Sequence, residues 1–550
     1  MTSAPALILP RTRAAIADET IPLDTDDLLG TADGMAEAGL IAETLQVDPA
    51  RLAVALADAV RSGTPLVRVA ARLARAVALT GDRDGALRLA DVAVGDPTAD
   101  DRGLAVAVAA AVLSGRGMLA RAADLHRWFA ATSGQQCPAA VPALLGTGDL
   151  AGARAAARPA TTRIPTIGDG VESLIATGLL DSIDGPPTAA LSKLTRAAGL
   201  LEPAARNTLL PDTPAALAAV VALNVGEFGV AESVLTRAVE VDLGGVFARA
   251  RHRVLLAWTA MQRGDLDRAR GLLLTDRQFE PREELTAAAI EVGIARREGD
   301  LGALQQAWQR ARQAIVRHPV DLYALHAVGE LWVGAVRLNE ESWVAPHVAE
   351  VWALLDRLGA PPLWSAPMHW YGVQAAGLAD RTDAAAPHVA ALESAADSYP
   401  HAAVLAAAGR CWLAVLAGRI DPAEVESAAR RLHRIGHAWD ASRLAGQAAV
   451  RAEDRTVMAT LLSCARSLRP AVTESTDEPS APASTDGLDL SDREREVAAL
   501  MLDGLTYKDI GERLFISAKT VEHHVARIRT RCGAVSRADL FSLLRANLTG

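Results

Sequence analysis

Apolar residues recur at helical spacing through most of the chain, and short polar turns interrupt them at regular intervals. From about residue 47 to residue 470, each turn begins with Gly, and a small Ala follows five residues later. Glycine permits the sharp reversal between antiparallel helices, and Ala lets the second helix cross the first closely. The pattern predicts helix pairs around Gly81 with Ala86, Gly115 with Ala120, Gly148 with Ala153, Gly185 with Ala190, Gly226 with Ala231, Gly264 with Ala269, and Gly418 with Ala423.

Successive turns lie about 33 to 42 residues apart, which is the period of helix-turn-helix solenoids. Gly299 starts a further copy with Leu304 in the Ala position, and weaker copies lie near Asn339 and Arg381. The array resembles tetratricopeptide repeats in a divergent form, because Ala and Leu occupy most aromatic positions of that family. The resemblance implies an all-α fold, an α-solenoid over residues 47–470 whose concave face binds peptides or small ligands. Residues 1–46 show no clear repeat and are interpreted as an N-terminal segment or cap.

A second pattern, over residues 488–550, predicts four short capped helices. Ser491 with Glu494 and Ser536 with Asp539 have capping-box spacing, while Thr506 and Ser517 precede the second and third helices. Periodicity assigns a core to Val497, Leu500, Met501, Ile510, Leu514, Val521, Val525, Ile528, Cys532, Leu540, Leu543 and Leu544. The third helix keeps a polar face, and the short separation of helices two and three is that of a helix-turn-helix.

This segment resembles the C-terminal DNA-binding domain of the LuxR/GerE (NarL-type) bacterial transcription regulators. The matching strings are SDREREV from Ser491, DGLTYKDIGERL from Asp503 and IS-x-KTVE-x-H from Ile516. The resemblance implies a four-helix domain that binds double-stranded DNA, with Ser517 capping the recognition helix. By the same resemblance, base edges are faced by Lys519, Glu522, His523 and Ala526, and phosphates by Lys508, Thr520, His524 and Arg527.

Two positions depart from the family pattern. Glu522 stands where many relatives have Lys, which indicates that a carboxylate accepts a hydrogen bond from a cytosine amino group. Cys532 stands where Leu is commoner, and we interpret it as a tolerated substitution in the core.

The distribution of charge along the chain predicts that only this C-terminal domain attracts DNA. The whole chain has a formal net charge of −10, and two of its three lysines, Lys508 and Lys519, lie in the domain. An acidic remainder repels phosphates, so the domain must supply the attraction locally. Residues 471–487 carry acids and prolines but no basic residue, which predicts an acidic flexible linker. Alternatively, the acidic residues of this linker compete with DNA phosphates for the recognition helix. We favour the first interpretation, in which the acidic residues only reflect a composition that promotes disorder.

Enzyme and membrane signals are missing from the sequence. It contains no Gly-x-x-x-x-Gly-Lys-[Ser/Thr] loop, no Gly-x-Ser-x-Gly elbow and no Cys-x-x-Cys spacing, and His433 with His437 has no third metal ligand nearby. The sequence therefore predicts no enzyme activity, no cofactor and no metal site. It shows no signal-peptide pattern and no uninterrupted apolar run of about 18 residues, which predicts a cytoplasmic protein without membrane association.

Aromatic residues concentrate in one part of the repeats, where nine of the ten tryptophans lie between Trp258 and Trp439. Amphipathic rings can line a groove that stacks on sugars or encloses an apolar effector. The candidate ligand-binding residues are Tyr323, Trp332, Trp343, Trp352, Trp364 and Trp370. The alternative, that these rings fill space between helices, is favoured over a ligand site.

The sequence thus predicts a bacterial transcription regulator whose repeats sense a small-molecule or protein effector. A single small domain buries little surface on DNA, so a homodimer on a two-fold symmetric site is expected. Leu540, Phe541 and Leu544 of the fourth helix are candidates for the dimer contact. The alternative function is an interaction scaffold whose repeats recruit a protein partner and whose C-terminal domain no longer binds DNA specifically.

Overall fold

The computed structural model describes most of the repeats and part of the C-terminal domain. The described residues are 48–97, 99, 101–158, 167–274, 279–469, 492–502, 505–514, 521, 522, 524, 525, 528, 529, 540 and 544. The predicted N-terminal segment and the predicted linker lie outside them. The chain divides into two compact units, Met1–Val472 and Thr473–Gly550.

All regular structure in the described part of the first unit is helical, as the sequence predicts. Its α-helices are α1 Pro49–Arg61, α2 Leu66–Leu79, α3 Arg83–Gly95, α4 Arg102–Gly115, α5 Leu119–Ser133, α6 Val141–Gly146, α7 Leu150–Ala156, α8 Ile167–Asp184, α9 Pro187–Leu201, α10 Pro214–Asn224, α11 Phe228–Glu240, α12 Gly245–Arg263, α13 Leu266–Leu274, α14 Pro281–Glu298, α15 Leu301–Arg317, α16 Leu325–Arg337, α17 Glu341–Arg357, α18 Pro362–Leu378, α19 Thr382–Ala395, α20 Pro400–Leu416, α21 Pro422–Arg434, α22 Ala438–Arg451 and α23 Arg455–Ser467. Short 3₁₀ turns occupy Pro138–Ala140, Glu202–Asn207 and Leu322–Ala324. Among the described helices, none has both the length and the apolar character needed to cross a bilayer.

Aspartates that follow the turn glycines start the second helix of several pairs. Asp82 accepts a 2.8 Å hydrogen bond from the amide of Gly85, and Asp149 accepts one of the same length from Gly152. These bonds satisfy amides that have no partner within the first helical turn. At five of the seven turns, including those followed by Ala86 and Ala153, the predicted Ala is fully buried, which confirms the pattern there.

At two turns the prediction of which residue is buried after the turn is wrong. Gly117 has the positive φ, +78°, and the residue buried five positions later is Ala122, whereas Ala120 is exposed. The helix after Gly418 starts late, because Asp421 caps it and Pro422 occupies its first position. Val425 is therefore buried there, and Ala423 is exposed.

The helices form consecutive antiparallel pairs from α2 with α3 to α22 with α23, and some of these pairs also contact a pair far along the chain. Helix α2 contacts α12, α8 contacts α18, and α12 contacts α22. In these three cases the partner belongs to the fifth pair further along, and α10 contacts α18 of the fourth pair further along. One turn of the superhelix therefore takes about five helix pairs, and consecutive turns pack directly on each other.

Turn glycines provide the close approach between these superhelical turns. A Cβ placed on Gly226 would lie 2.7 Å from Cε1 of His401 and 3.0 Å from the carbonyl oxygen of Ile435. A Cβ on Gly117 would lie 2.6 Å from Nδ1 of His318. Such distances are too short for non-bonded atoms, so these glycines permit contact between superhelical turns as well as the local chain reversal.

Candidate nucleic-acid interface and interior pocket

The second unit contains α24 Asp492–Leu502 and α25 Tyr507–Leu514. A reciprocal cap starts α25: the Asp509 amide donates to Oγ1 of Thr506 at 3.3 Å, and the Thr506 amide donates to Oδ2 of Asp509 at 3.2 Å. Two amides that lack helical partners are satisfied in this way. The predicted capping role of Thr506 is confirmed.

The apolar core of this unit follows the predicted periodicity. Its buried residues include Val497, Met501, Ile510, Val521, Val525, Ile528, Leu540 and Leu544, and Leu500 packs partly buried against them. The side chain of Leu514, together with Cys532 and Leu543, lies outside the described residues.

Burial also corrects the predicted dimer contact. Leu540 is 2% exposed and Leu544 is 0% exposed within the domain itself. Apolar side chains already packed in their own core have no surface to offer a second copy. These two leucines are therefore core residues, while Phe541 lies outside the described residues.

Burial along residues 521–529 identifies the face that packs on the core. Val521, Val525 and Ile528 are buried at helical spacing, whereas Glu522 and Arg529 are exposed and His524 is half-buried. The exposed Glu522 and Arg529 therefore lie to one side of the buried face of this helix. The remaining predicted DNA contacts lie outside the described residues, namely Ser517, Lys519, Thr520, His523, Ala526, Arg527 and the side chain of Lys508.

Three of the predicted ligand-binding aromatics are buried and hydrogen-bonded to residues distant in the chain. The Tyr323 hydroxyl donates a 2.9 Å hydrogen bond to the carbonyl of Pro142, and Nε1 of Trp364 donates a 3.0 Å bond to Oγ of Ser182. Nε1 of Trp370 donates a 2.8 Å bond to the Asp440 carboxylate. Each of these side chains fills space and ties together helices that are distant in the chain.

The other three candidates are half-buried and lie on different contacts. The guanidinium of Arg312 lies 4.6 Å from the ring centre of Trp343. Trp332 and Trp352 both pack against His388, with ring centres 5.8 Å apart in each case. The six aromatic candidates therefore do not converge on one groove.

A partly enclosed pocket lies in the interior of the superhelix. The cavity itself measures about 30 Å³, room for about two water molecules, and α10, α12, α16, α18 and α20 contribute to its walls. His326, Trp370 and Tyr371 come from the aromatic stretch that the sequence singles out. Asn224 and Arg297 were missed, because nothing in their local sequence shows that they face the same space.

His326 and His401, two of the residues that line this pocket, are neutral at neutral pH. Burial lowers the pKa of His326 to about 4 and that of His401 to about 3. Asp440 is ionised instead: although burial opposes ionisation, hydrogen bonds from His437 and Trp370 lower the pKa of Asp440 to about 2.

Two arginines beside the pocket share one carboxylate. Glu330 is 0% exposed, and its Oε1 lies 2.8 Å from Arg296 and 3.0 Å from Arg297. Arg297 also lines the pocket. Asp440 also lines the pocket and is ionised, so the two guanidiniums are balanced by two carboxylates.

Comparison with solved structures gives low similarity for the whole chain. Yeast Tom70 aligns with 80% of this chain and 95% of its own, at 11% identity and a TM-score of 0.28. The pentatricopeptide repeat protein PPR10 from maize aligns with 98% of this chain and 92% of its own, at 13% identity and a TM-score of 0.20.

Two bacterial regulators are similar in sequence to about fifty residues of this chain. The C4-dicarboxylate transport transcriptional regulatory protein DctR of Rhodobacter capsulatus is 55% identical over 47 residues, which are 8% of this chain and 24% of DctR. The oxygen regulatory protein NreC of Staphylococcus aureus is 45% identical over 51 residues, 9% of this chain and 24% of NreC. The chain thus spans about a quarter of the length of these relatives.

The family model described as "Bacterial regulatory proteins, luxR family" matches residues 488–544. This range contains both described helices of the second unit and its whole described apolar core. The C-terminal domain of this chain therefore belongs to the luxR family of bacterial regulatory proteins.

Proposed function

We propose that the protein is a cytoplasmic bacterial transcription regulator that binds promoter DNA through its C-terminal domain. The luxR-family match over residues 488–544 carries this proposal. Burial of Val521, Val525 and Ile528 supports it, because the core then occupies one side of the third helix only. A helix-turn-helix domain needs the other side of this helix for the major groove.

The proposed base contacts are Lys519, Glu522, His523 and Ala526, and the proposed phosphate contacts are Lys508, Thr520, His524 and Arg527, with Ser517 capping the helix. Exposure of Glu522 is consistent with base contact. A carboxylate at this position favours cytosine, since it accepts a hydrogen bond from the amino group. Positive charge from the lysines and Arg527 supplies the attraction to phosphates that the acidic chain lacks.

A homodimer is the proposed DNA-binding form, because one small domain buries too little surface for high specificity. Two-fold symmetry of the protein then predicts a two-fold symmetric binding site. The contact must use residues other than Leu540 and Leu544, which the domain core occupies.

The proposed input domain is the helical-repeat unit, which senses a small-molecule or protein effector. Its consecutive helix pairs form a superhelix, and the concave surfaces of such arrays commonly bind partners. An effector changes DNA binding only if it binds the DNA-competent and the DNA-free arrangements with different affinities.

Salt-dependent binding of the full chain to duplex DNA tests the DNA-binding role. We expect Arg527→Gln to reduce the slope of log affinity against log salt by about one, because one phosphate contact is lost. Arg310→Gln is the matched control: Arg310 is an exposed arginine of α15 that pairs with Glu291 at 2.8 Å in the first unit. Absence of salt-dependent binding by the wild-type chain would contradict the proposal.

Base readout is tested separately with His523→Ala. If His523 contacts a base edge, the variant changes preference at one position of the site and keeps the salt dependence. Equal loss of affinity on all sequences would instead assign His523 to the DNA backbone.

A further inference from the structure

The last two helix pairs of the repeat unit are basic, although the chain as a whole is acidic. Residues 400–469, which form α20 to α23, contain ten arginines, no lysine and six acidic residues, a formal net charge of +4. The whole chain has a net charge of −10, so the remaining residues carry −14. This part of the repeats therefore does not share the repulsion of phosphates that is expected for the acidic chain.

The charges are separated along α21 and α23, the second helices of these two pairs. Each of them runs antiparallel to α22, so they are parallel to each other, and they are in direct contact. Asp421 and Glu424 lie at the start of α21, and Glu453 and Asp454 lie at the start of α23. The acidic residues therefore gather at one end of the two helices.

Exposed arginines occupy the opposite, C-terminal ends of both helices. Arg431 and Arg434 lie in the last turn of α21, Arg466 lies in the last turn of α23, and Arg469 follows the C-cap residue Leu468. All four arginines are exposed. We call these four residues the arginine patch.

Three members of the arginine patch have no carboxylate partner in the part of the chain that the structure describes. The side chains of Arg431, Arg434 and Arg469 make neither an ion pair nor a hydrogen bond there. Nε of Arg466 donates to a carbonyl of its own helix, that of Leu462, at 3.3 Å. The patch therefore presents positive charge to the solvent.

The acids of α21 are engaged or distant. Glu426 lies 3.0 Å from Arg430. Glu424 precedes Arg434 by ten residues, which is about 15 Å along the helix axis. The screening length is about 8 Å at physiological ionic strength, so Glu424 hardly reduces the positive potential at Arg434.

The helix dipole alone does not account for the arginine patch. A cation near the C-terminal end stabilises a helix, but two other helices pair this cation with a glutamate. Arg237 of α11 lies 2.8 Å from Glu202, and Arg317 of α15 lies 3.2 Å from Glu284. The second helix of the preceding pair, α19, has no basic residue in its last turn. The cluster of unpaired arginines distinguishes the last two pairs from these helices.

The arginine patch lies close in sequence to the DNA-binding domain. Residues 470–491, a stretch of 22 residues, join Arg469 to α24. A chain of this length spans at most about 80 Å, which is the length of about 23 base pairs of duplex DNA. Phosphates that flank a site bound by the domain are thus within reach of the patch.

We propose that the arginine patch binds phosphates of duplex DNA next to the site that the C-terminal domain reads. This inference rests on the proposed function, since the domain brings the duplex to the patch. The contacts carry no sequence information, because every base pair has the same phosphates. They add affinity and salt dependence instead.

The length of the duplex separates this contact from the contact of the domain. The affinity of the full chain is measured against salt concentration on two duplexes that share one site, selected by the wild-type chain from a random pool. One duplex has about 18 base pairs, and the other has about 60 because of added random flanks. We expect the wild type to show a steeper slope of log affinity against log salt on the long duplex.

A triple variant, Arg431→Gln with Arg434→Gln and Arg469→Gln, removes the unpaired charge. On the long duplex it should lower this slope by about one for each arginine that contacts a phosphate, and weaken binding at least about tenfold at physiological salt. On the short duplex it should match the wild type. The corresponding Arg→Lys changes keep the charge and should keep the slope.

The matched control loses the same charge elsewhere in the repeats. Arg88 of α3, Arg121 of α5 and Arg196 of α9 are exposed and have no partner among the described residues. The triple variant Arg88→Gln with Arg121→Gln and Arg196→Gln should keep the wild-type slope on both duplexes. Equal losses in the patch variant and the control variant would assign the effect to net charge and overturn the proposal.

Circular dichroism and the short duplex separate the possible failures. Equal slopes for wild type and the folded patch variant on the long duplex would overturn the proposal and leave the DNA-binding function standing. Tighter DNA binding by the patch variant would also overturn it, and would point to the acidic residues 471–487 as the occupant of the patch. Absence of binding by the wild type to both duplexes contradicts the proposed function and this inference together.

Discussion

The hydroxyl of Tyr399 donates a 2.9 Å hydrogen bond to the main-chain carbonyl of Asn224, 175 residues earlier in the chain. Tyr323 makes the same contact with Pro142, 181 residues earlier. Each tyrosine lies next to the start of a helix pair and reaches the pair five positions before it. In both cases a buried tyrosine side chain joins two consecutive superhelical turns.

Loss of the Tyr399 hydroxyl should destabilise the repeat unit. Tyr399→Phe leaves the buried carbonyl of Asn224 without this donor, which costs about 1 to 2 kcal/mol. We expect a lower urea midpoint for the helicity of the repeats. Tyr507→Phe, in the C-terminal domain, should leave this midpoint unchanged. An unchanged midpoint in Tyr399→Phe would show that the bond does not join the turns.

Gly226 and Gly418 have nearly the same backbone conformation. Substituting each of them therefore distinguishes backbone strain at the turn from packing between superhelical turns. Gly226 has φ of +77° and Gly418 has φ of +74°, but only at Gly226 would a Cβ meet other atoms, namely those of His401 and Ile435. Gly226→Ala should therefore lower the thermal midpoint clearly more than Gly418→Ala, which introduces the same backbone strain into open space. Equal losses would mean that the turns do not pack as described.

Acidification should weaken the repeat unit between pH 6.5 and pH 4. Burial lowers the pKa of His126, His252 and His326 to about 4 in the folded chain, while unfolded histidine titrates near 6.5. The unfolded state then binds more protons in this window, so the free energy of unfolding is greatest above pH 6.5 and falls as the pH falls.

His126 offers the simplest test of this pH dependence, because its Nε2 has no partner in the described part of the chain. Between pH 7.5, pH 6 and pH 5 the urea midpoint of the wild type should fall more than that of His126→Leu. The variant lacks one buried group that must be protonated. Between neutral pH and pH 4, each such histidine lowers the free energy of unfolding by up to about 3 kcal/mol. Parallel curves for the two proteins would contradict the assigned pKa of His126.

Local sequence predicted the helix pairs because their determinants lie close together in the chain. A turn glycine, an aspartate cap such as Asp82 and a buried alanine such as Ala86 all act within a few residues. The register errors at Ala120 and Ala423 have the same local origin, since the chain reversal at Gly117 and the cap at Asp421 displaced the helix starts.

The contacts between superhelical turns could not be predicted from such local patterns. Whether Tyr399 reaches Asn224 depends on the small rotation between successive pairs, summed over five pairs, and no short motif encodes that sum. Convergence of Asn224, Trp258 and Arg297 on one pocket depends on the same geometry. The aromatic-rich stretch was the sequence signal near this pocket, and of the six candidates it led to Trp370.

The central claim is that the C-terminal domain reads DNA sequence, and selection of bound duplexes from a random pool tests it most directly. The full chain should enrich one two-fold symmetric motif, whereas the double variant Lys519→Glu with Arg527→Glu should enrich none, because both carry positive charge proposed to face DNA. Failure of the wild-type chain to enrich any motif, or enrichment of the same motif by the double variant, would contradict the claim.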